Sequence, residues 1–271
     1  MNIEHIFHLA DLHIRTYNRH KEYKEIFTKL LDNMKLIMKD KDPEKFRVVI
    51  AGDIVHQKIT ISSEQIMLTS WLFTELASLC KVIIIAGNHD LLENNKDRLD
   101  SITPIIELLK NNNIQYLTKS ECIRDSNIVW CTYSIFENNK RPNIDEFKKT
   151  CNDKVKYVGL YHAPLAGAKT DTGYEFEYSD NVEIFEGLDI VMCGDVHLRQ
   201  VIKHETIPVL YSGSLIQQNF GEKINGHGFL VWDVEAGSFS PYDIENKYTM
   251  YQFKVSSIND IENDTEKLIN V

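Results

Sequence analysis

Short apolar runs alternate with amphipathic stretches over the first 110 residues, and this alternation limits the possible folds more than any other feature of the sequence. The apolar runs occupy residues 3–10, 46–52 and 81–87. Apolar residues recur at helical spacing over 23–39, 62–79 and 100–113. Strands that alternate with helices in this way form crossover units. The sequence therefore predicts an α/β fold whose parallel sheet is covered on both faces.

The second half of the sequence is richer in strand candidates. Apolar runs lie at 127–133, 156–162, 189–194, 207–213 and 228–235, with few helical patterns between them. We expect these strands to form a second sheet that packs against the first. After residue 241, a strand candidate at 250–255 and the beginning of a helix are together too short to bury a core. We therefore predict one domain over 1–241 and the incomplete beginning of a second domain over 242–271.

Net charge, hydropathy and cysteine usage indicate the setting in which the chain works. The net charge of −10 argues against non-specific nucleic-acid binding by the whole surface, although bound cations can reverse the sign at a local site. No apolar run approaches the ~20 residues of a membrane span, and the N-terminus lacks the pattern of a secretory signal. The five cysteines are scattered and form no C-x-x-C motif, as is typical of reduced thiols. We therefore expect a cytoplasmic protein that is not membrane-bound.

Polar side chains follow five of the apolar runs. They are Asp11 and His13; Asp53 and His56; Asn88, His89 and Asp90; His162; and Asp195 and His197. Ligands of open α/β sheets bind beyond the carboxyl ends of the strands, so these side chains can meet at one edge. Residues i and i+2 of an extended segment share a face, so Asp11 and His13 can point at one centre. The sequence therefore predicts one polar site built from five strand ends.

Each of these strand ends has an ordinary structural explanation when it is taken alone. A single aspartate there commonly caps a helix or forms a turn, and a lone histidine such as His162 is commonly a hydrogen-bonded core residue. Five occurrences make that explanation weak. Carboxylates buried together repel each other and their pKa values rise, unless divalent cations neutralise them. A mixed set of Asp, His and Asn ligands suits Mn²⁺, Fe²⁺ or Zn²⁺ better than Mg²⁺ or Ca²⁺.

The order of these motifs resembles the calcineurin-like metallophosphoesterase superfamily, and within it the SbcD-type double-strand-break repair nucleases. The motifs are D-x-H at 11–13, G-D at 52–53, G-N-H-D at 87–90, His162 and G-x-x-H at 194–197. The stretch 211–222, which contains G-S-L and F-G-E, and the strand candidate at 227–235 carry the closer resemblance. The resemblance covers about residues 3–240. It implies a two-sheet metallophosphoesterase sandwich flanked by helices over 1–241, followed by the start of a C-terminal capping domain.

The resemblance also implies a role for each polar residue. Asp11, His13 and His197 would hold one metal ion, while Asn88, His162 and residue 195 would hold the other. Asp53 would bridge the two ions. His89 would be the catalytic histidine that approaches the leaving group, and His56 would lie near the scissile phosphate. The implied cofactors are two divalent metal ions, with Mn²⁺ preferred.

Residue 195 departs from the pattern of the family. The usual final motif is G-H-x-H, whereas this chain has Gly194, Asp195, Val196 and His197. A carboxylate oxygen is a harder ligand than imidazole, so Asp195 should favour Mn²⁺ over Zn²⁺. We interpret Asp195 as a substitute ligand in an active site. The competing interpretation is that the second metal has been lost.

The implied function is a Mn²⁺-dependent DNA nuclease that acts in double-strand-break repair or recombination. As in the family, it would degrade duplex ends from 3′ to 5′ and cut single strands by two-metal phosphodiester hydrolysis. One alternative is a phosphoesterase acting on small nucleotides or phosphoproteins. Another is a DNA-end scaffold whose catalysis has lapsed through Asp195.

The resemblance implies three partners: DNA, an SbcC-type ATPase subunit and a second copy of the chain. Candidate phosphate-binding residues are Arg15, Arg19, His20, Lys21 and Lys58, although these can equally form a solvated loop. Candidate dimer residues are Ile66, Leu72, Phe73, Ile102, Ile105 and Leu109, although these can simply cover the sheet. The place of action would be the cytoplasm, or the host cytoplasm if the source is a virus or phage.

Overall fold

A computed structural model describes residues 1–58, 60–151, 154–202 and 207–251. Its first sheet has six strands in the order β12-β11-β1-β2-β3-β4. The parallel strands are β1 (His5–Leu9), β2 (Phe46–Ala51), β3 (Lys81–Ile85) and β4 (Ile114–Tyr116). β11 (Gly228–Asp233) and β12 (Ser238–Asp243) extend the sheet in antiparallel fashion. The crossovers contain α1 (His20–Met38), α2 (Ser63–Leu79) and α3 (Thr103–Leu109).

The second sheet also has six strands, in the order β5-β6-β7-β8-β10-β9. Its parallel strands are β6 (Ile128–Tyr133), β7 (Lys156–His162), β8 (Ile190–Gly194) and β10 (Val209–Tyr211). The antiparallel edge strands are β5 (Cys122–Asp125) and β9 (Gln200–Ile202). One short helix, α4 (Ile144–Thr150), lies between β6 and β7 in the chain.

Strand β2 illustrates how the first sheet is covered on both faces. Val48 and Ile50 pack in the core that the sheet shares with α1, α2 and α3. Val49 and Ala51 point the other way and pack with residues of the second sheet such as Trp130. Because alternate residues of a strand face opposite sides, an unbroken apolar run can fill both cores. The predicted two-sheet α/β sandwich flanked by helices is confirmed, with helices on one face of the parallel sheet and the second sheet on the other.

Several elements were not predicted from the sequence: β4, β5, β9, β12 and α4. β4 and β9 have three residues each, and five of the six residues of β12 are exposed, so no apolar pattern marks them. β12 runs to Asp243, two residues past the predicted domain boundary at 241. The boundary itself stays a prediction. The predicted strand at 250–255 lies outside the described residues from residue 252 onward. The helix predicted after it lies outside them entirely. None of the helices in the described part of the chain is long and apolar enough to span a membrane.

Candidate metal centre

The polar groups that follow β1, β2, β3, β7 and β8 meet at one end of the sandwich, between the two sheets. Three groups of side chains each bring their ligand atoms within 4.8 Å of one another. They are Asp11, His13 and His197; Asp11, Asp53 and His162; and His13, His56 and His89. The structure therefore places the carboxyl ends of strands from two different sheets around one centre.

Four residues of this centre have a left-handed backbone. The φ angles are 53° at Asp11, 46° at His13, 53° at Asp53 and 93° at Asp195. Non-glycine residues seldom adopt such angles, and such strain concentrates at functional sites. Hydrogen bonds between the ends of β1 and β2 stabilise these turns. The Asp11 amide donates to the Gly52 carbonyl at 3.1 Å, and the His13 amide donates to the Asp53 carbonyl at 2.9 Å. The turns direct the side chains away from the sheet and towards the centre.

Glycine is required where the strand ends approach most closely. Gly52 has a φ of +87°, and a Cβ there would lie 2.2 Å from His162 Nδ1. At Gly87, a Cβ would lie 2.2 Å from Asp53 Oδ1, and at Gly194 it would lie 2.0 Å from the Ala51 carbonyl oxygen. Gly52 thus adopts a positive φ angle that other residues reach only with strain. Gly87 and Gly194 provide space for the side chains of the centre.

The nitrogen-rich half of the centre consists of Asp11, His13 and His197. His13 Nε2 lies 2.9 Å from His197 Nε2, so the two imidazoles converge on one point. The carboxylate of Asp11 is fully buried, and its Oδ1 accepts a hydrogen bond from the Asp195 amide at 2.9 Å. Burial raises the pKa of Asp11 to about 7, while the pKa of His13 is lowered by its own burial.

Glu222 holds the imidazole of His197 from behind. Its Oε1 accepts a hydrogen bond from His197 Nδ1 at 2.7 Å, which leaves Nε2 facing the centre. Oε2 accepts from the Gln218 amide at 2.7 Å, and Asn219 Nδ2 donates to Oε1 at 2.7 Å. Burial alone would lower the pKa of His197, but the hydrogen bond to Glu222 and the negative charges of Asp11 and Glu222 together raise that pKa to about 9. The sequence reasoning did not single out Glu222, although it closes the F-G-E segment at 220–222.

The resemblance assigns Asn88, His162 and Asp195 to the other, oxygen-rich half of the centre. His162 Nδ1 donates to the Ala51 carbonyl at 2.7 Å, which fixes the tautomer and leaves Nε2 available as a ligand. That Nε2 lies 3.7 Å from Asp195 Oδ1. Burial raises the pKa of Asp195 and would lower that of His162, but the carboxylate of Asp53 raises the pKa of His162 well above its usual value.

Asp53 lies between the two halves. Its Oδ2 is 3.5 Å from His13 Nε2, and its Oδ1 is 3.3 Å from His162 Nε2. The His89 amide donates to Oδ1 at 2.8 Å and fixes the carboxylate. Burial alone would raise the pKa of Asp53, but the charge of His162, followed by that of His13, holds the pKa well below its usual value. This is the position that a bridging ligand requires.

His56 and His89 lie beside the nitrogen-rich half and are both partly exposed. Their rings are stacked at 5.4 Å between centroids and 23° between planes, and the His89 ring lies 4.8 Å from that of His13. His89 Nδ1 donates to the His56 carbonyl at 2.6 Å, so its Nε2 points elsewhere. Burial, reinforced by the charge of Arg15, lowers the pKa of His56 to about 4.

Asp90 supports the centre without belonging to it. Its carboxylate is fully buried and accepts hydrogen bonds from the amides of Ile54 and Val55, each at 2.9 Å, and of Gly87 at 2.8 Å. Burial raises the pKa of Asp90 to about 8. These bonds tie the loop after β3 to the loop after β2, so Asp90 fixes the distance between Asp53 and its neighbours.

The side chains of the centre fit divalent metal ions. Asp11 Oδ2, Asn88 Oδ1 and His162 Nε2 are buried and have no hydrogen-bond partner. A buried polar atom without a partner costs about 1–3 kcal/mol, and a metal ion that accepts these lone pairs removes the penalty. The donor set of carboxylate, imidazole and amide oxygen suits a transition-metal ion.

Comparison with known proteins identifies the family. The calcineurin-like phosphoesterase family matches residues 4–199. The chain belongs to this family. Its clusters of Asp and His can bind divalent metal ions, as the metallophosphoesterase fold leads one to expect. The resemblance seen in the motifs is confirmed at the level of the family.

A viral relative shares most of this metallophosphoesterase chain. The protein named "Uncharacterized protein R555" of Acanthamoeba polyphaga mimivirus is 38% identical over 260 residues, which are 93% of this chain. The chain spans 19% of the length of that relative, whose printed name states no activity. The match is consistent with the family and adds no substrate.

The basic residues of the metallophosphoesterase that were candidates for phosphate binding have partners within the protein. Arg15 donates to the Gln218 carbonyl at 3.2 Å. Arg19 pairs with Glu22 and donates to the Gln217 carbonyl at 2.7 Å, and Lys58 pairs with Glu93. Both arginines hold the segment that also carries Glu222. His20 bonds to the Arg15 carbonyl at 2.6 Å, while Lys21 is exposed, so DNA contact by these residues stays a prediction.

The predicted dimer residues of the metallophosphoesterase lie mainly in its own core. Leu72, Phe73, Ile102 and Ile105 are buried in the core shared with the first sheet, and Ile66 and Leu109 pack against that core. The exposed apolar residues of α2 and α3 are Met67 and Leu108. A dimer built on these helices would therefore use outer-face residues rather than the ones that were predicted, and the dimer itself stays a prediction.

Proposed function

We propose that the protein is a Mn²⁺-dependent DNA nuclease of the SbcD type. It degrades duplex ends from 3′ to 5′ and cuts single strands, in double-strand-break repair or recombination. The observation that carries the proposal is the hydrogen bond between Glu222 and His197 at 2.7 Å. It joins the segment that resembles SbcD-type nucleases directly to the metal centre. Asp195, as an oxygen ligand, favours Mn²⁺ over Zn²⁺.

The residues of the centre divide the work of phosphodiester hydrolysis. Asp11, His13 and His197 would hold one divalent ion and Asn88, His162 and Asp195 the other, with Asp53 between them; when bound, the ions would supply a water nucleophile of lowered pKa and neutralise the charge of the phosphate. His89 keeps Nε2 available because its Nδ1 is bonded to the His56 carbonyl. In its protonated form, His89 donates a proton from Nε2 to the leaving oxygen. His56 stacks on His89, so it would lie near the scissile phosphate when His89 approaches the leaving oxygen.

The proposal includes partners and a place of action. DNA is the substrate, an SbcC-type ATPase provides part of the grip on DNA, and a second copy of the chain forms a homodimer. These partners accord with a chain of net charge −10, which needs metal ions and a partner to attract phosphates. The place of action is the cytoplasm, and the similarity to a mimivirus protein favours a host cytoplasm.

A labelled linear duplex and a labelled single strand test the proposal. We expect release of nucleotides from the 3′ end of the duplex and internal cuts in the single strand with Mn²⁺, less activity with Mg²⁺ and none with a chelator. Hydrolysis of phosphopeptides or free nucleotides alone would instead support a phosphoesterase. Inactivity towards every phosphoester with every metal ion would support a scaffold that has lost its catalysis.

His89→Asn tests the role of the leaving-group histidine in the same assay. We expect turnover to fall by about 100-fold or more, because general acid catalysis contributes on the order of 10²–10⁴ in rate. The metal content of the purified variant should stay that of the wild type, because the residue is placed beside the ligands. Near-normal turnover by His89→Asn would show that another group protonates the leaving oxygen.

A further inference from the structure

A cavity of about 280 Å³ opens directly beside the metal centre. One wall consists of Asp195, His197 and Glu222, which belong to the centre or support it. A second part of the lining comes from the segment 170–176, through Thr170, Asp171, Thr172 and Phe176. Because ligands of the centre line the cavity, any phosphate bound there has this space next to it. The cavity is therefore placed to receive a group attached to the phosphate.

The segment 170–176 is held by backbone hydrogen bonds and carries an aromatic ring that packs partly against the core. The Phe176 amide donates to the Ala168 carbonyl at 2.9 Å, and the Thr170 amide donates to the Tyr174 carbonyl at 2.9 Å, so the segment is a hydrogen-bonded hairpin. The ring of Phe176 is supported edge-on by that of Tyr174 at 5.1 Å between centroids. Val196 and Leu198 add apolar surface to the lining. A flat ring that enters the cavity thus meets an aromatic side chain held in place.

The charge of the lining excludes a phosphate and favours a neutral hydrogen-bond donor. Three carboxylates, those of Asp171, Asp195 and Glu222, line the cavity, and the lining residues that the structure describes include no lysine or arginine. Asp171 Oδ1 is buried and has no hydrogen-bond partner. A buried carboxylate oxygen without a partner is a strong acceptor for an N–H group. Each of the four nucleobases carries such an N–H group on its pairing edge.

We propose that this cavity binds one unstacked nucleobase of the strand whose phosphate lies on the metal centre. Phe176 stacks on the base and Asp171 accepts a hydrogen bond from its pairing edge. The cavity is slightly smaller than the ~300–1,000 Å³ of common ligand pockets, so it takes one base and not a base pair. A base that offers its pairing edge to Asp171 has left the duplex. The cavity therefore selects single strands and frayed ends over intact duplex.

The inference rests on the proposed function. Two diester substrates allow failure of the base-binding cavity to be told apart from failure of the proposed function. Bis(p-nitrophenyl) phosphate has no nucleoside, whereas the dinucleotide TpT has one on each side of its phosphate. The measurement is the ratio of kcat/KM for TpT to kcat/KM for the nucleoside-free diester with Mn²⁺. In Phe176→Ala we expect this ratio to fall about 5-fold or more, because stacking on an aromatic side chain contributes roughly 1 kcal/mol or more per base.

Three further variants make the test specific. Phe176→Tyr keeps the ring and should keep the ratio within about twofold of the wild type. Asp171→Ala removes the acceptor and should lower the ratio about 10-fold. Tyr178→Ala is the matched control, because Tyr178 is 99% exposed and does not line the cavity. It should leave the ratio unchanged.

The possible results distinguish the cavity from the proposed function. If the wild type hydrolyses both diesters, and Phe176→Ala and Asp171→Ala have the same ratio as the wild type, the cavity does not bind a base. If the wild type hydrolyses neither diester, the proposed function fails. Calorimetric titration with dTMP and Mn²⁺ then decides on the cavity: weaker binding by Phe176→Ala supports the inference, and equal binding by both proteins overturns it.

Discussion

The two halves of the metal centre are built from different atoms and held in different ways. In the nitrogen-rich half, His13 and His197 bring two imidazole nitrogens to 2.9 Å, and Glu222 fixes His197 from behind. In the oxygen-rich half, His162 is the single imidazole beside Asn88 and Asp195, and a backbone carbonyl at 2.7 Å orients its ring. The first half depends on a side chain from a distant loop. The second depends on the strands themselves.

This difference indicates how one site can discriminate between metal ions. Imidazole nitrogens favour ions such as Zn²⁺ and Fe²⁺, whereas added oxygen ligands favour harder ions such as Mn²⁺. Asp195 is the residue that makes the second half oxygen-rich. Its φ of 93° shows that the strand end adopts an unfavourable turn in order to present this side chain. The two halves can therefore be perturbed separately, or together through Asp53.

Asp53→Ala should abolish the distinction between the halves, because Asp53 lies 3.5 Å from His13 Nε2 and 3.3 Å from His162 Nε2. We expect the purified variant to lose both metal ions and hydrolysis to fall more than about 1,000-fold, as several kcal/mol of stabilisation of the transition state is removed. Metal analysis and diester hydrolysis measure this. The control is Asp32→Ala, an exposed carboxylate on α1. A variant that kept one full equivalent of metal would contradict a bridging role.

Substitutions at Asp195 should affect the oxygen-rich half alone. In Asp195→Ala we expect one metal ion to be lost and hydrolysis with Mn²⁺ to fall about 100-fold, while Asp195→His should retain both ions and shift the preference towards Zn²⁺. Metal content and activity with each ion measure the effect. Activity that appears only in Asp195→His would mean that the natural residue has inactivated the site.

The strand ends were predictable from the sequence because parallel strands bring their carboxyl ends to one edge whatever their register. Asp11, Asp53 and His162 could therefore be assigned to one centre from apolar runs and the residues that follow them. Glu222 could not be assigned in this way. It lies 25 residues after His197 and reaches it only because the loop after β10 folds back over the ends of the strands. No local pattern encodes such a return, and the same holds for the short, polar edge strands.

Glu222→Gln should weaken the nitrogen-rich half without removing a ligand. A neutral amide makes His197 a poorer and less well-oriented ligand, and loss of such a partner commonly weakens metal binding about 10–100-fold. Calorimetric titration of the metal-free protein with Mn²⁺ should show this loss at one of two sites. Glu235→Gln, at an exposed position after β11, is the matched control and should bind both ions as the wild type does. Equal weakening at both sites would indicate a general loss of structure.

His8 provides a second comparison, because it is a buried imidazole on β1 that has no carboxylate partner. Its Nε2 lies 3.2 Å from the Cys193 carbonyl, between the two sheets. Burial lowers the pKa of His8 to about 3, whereas Glu222 raises the pKa of the buried His197 to about 9. The contrast shows that a hydrogen-bonded carboxylate, together with neighbouring negative charge, can reverse the effect of burial on the pKa of a histidine in the metal-free protein.

The neutral His8 should make folding sensitive to acid. Below pH 6.5 the unfolded chain binds a proton at His8 that the folded protein does not bind until about pH 3, so the free energy of unfolding decreases as the pH falls. At pH 5 this amounts to roughly 2 kcal/mol. In His8→Gln, thermal melts with a chelator present should therefore depend less on pH between 6.5 and 4 than those of the wild type. His5→Gln, on the same strand, is the control. If His8→Gln and the wild type lost stability in parallel over this range, the acid sensitivity would arise from the metal centre, where burial lowers the pKa values of His13 and His56.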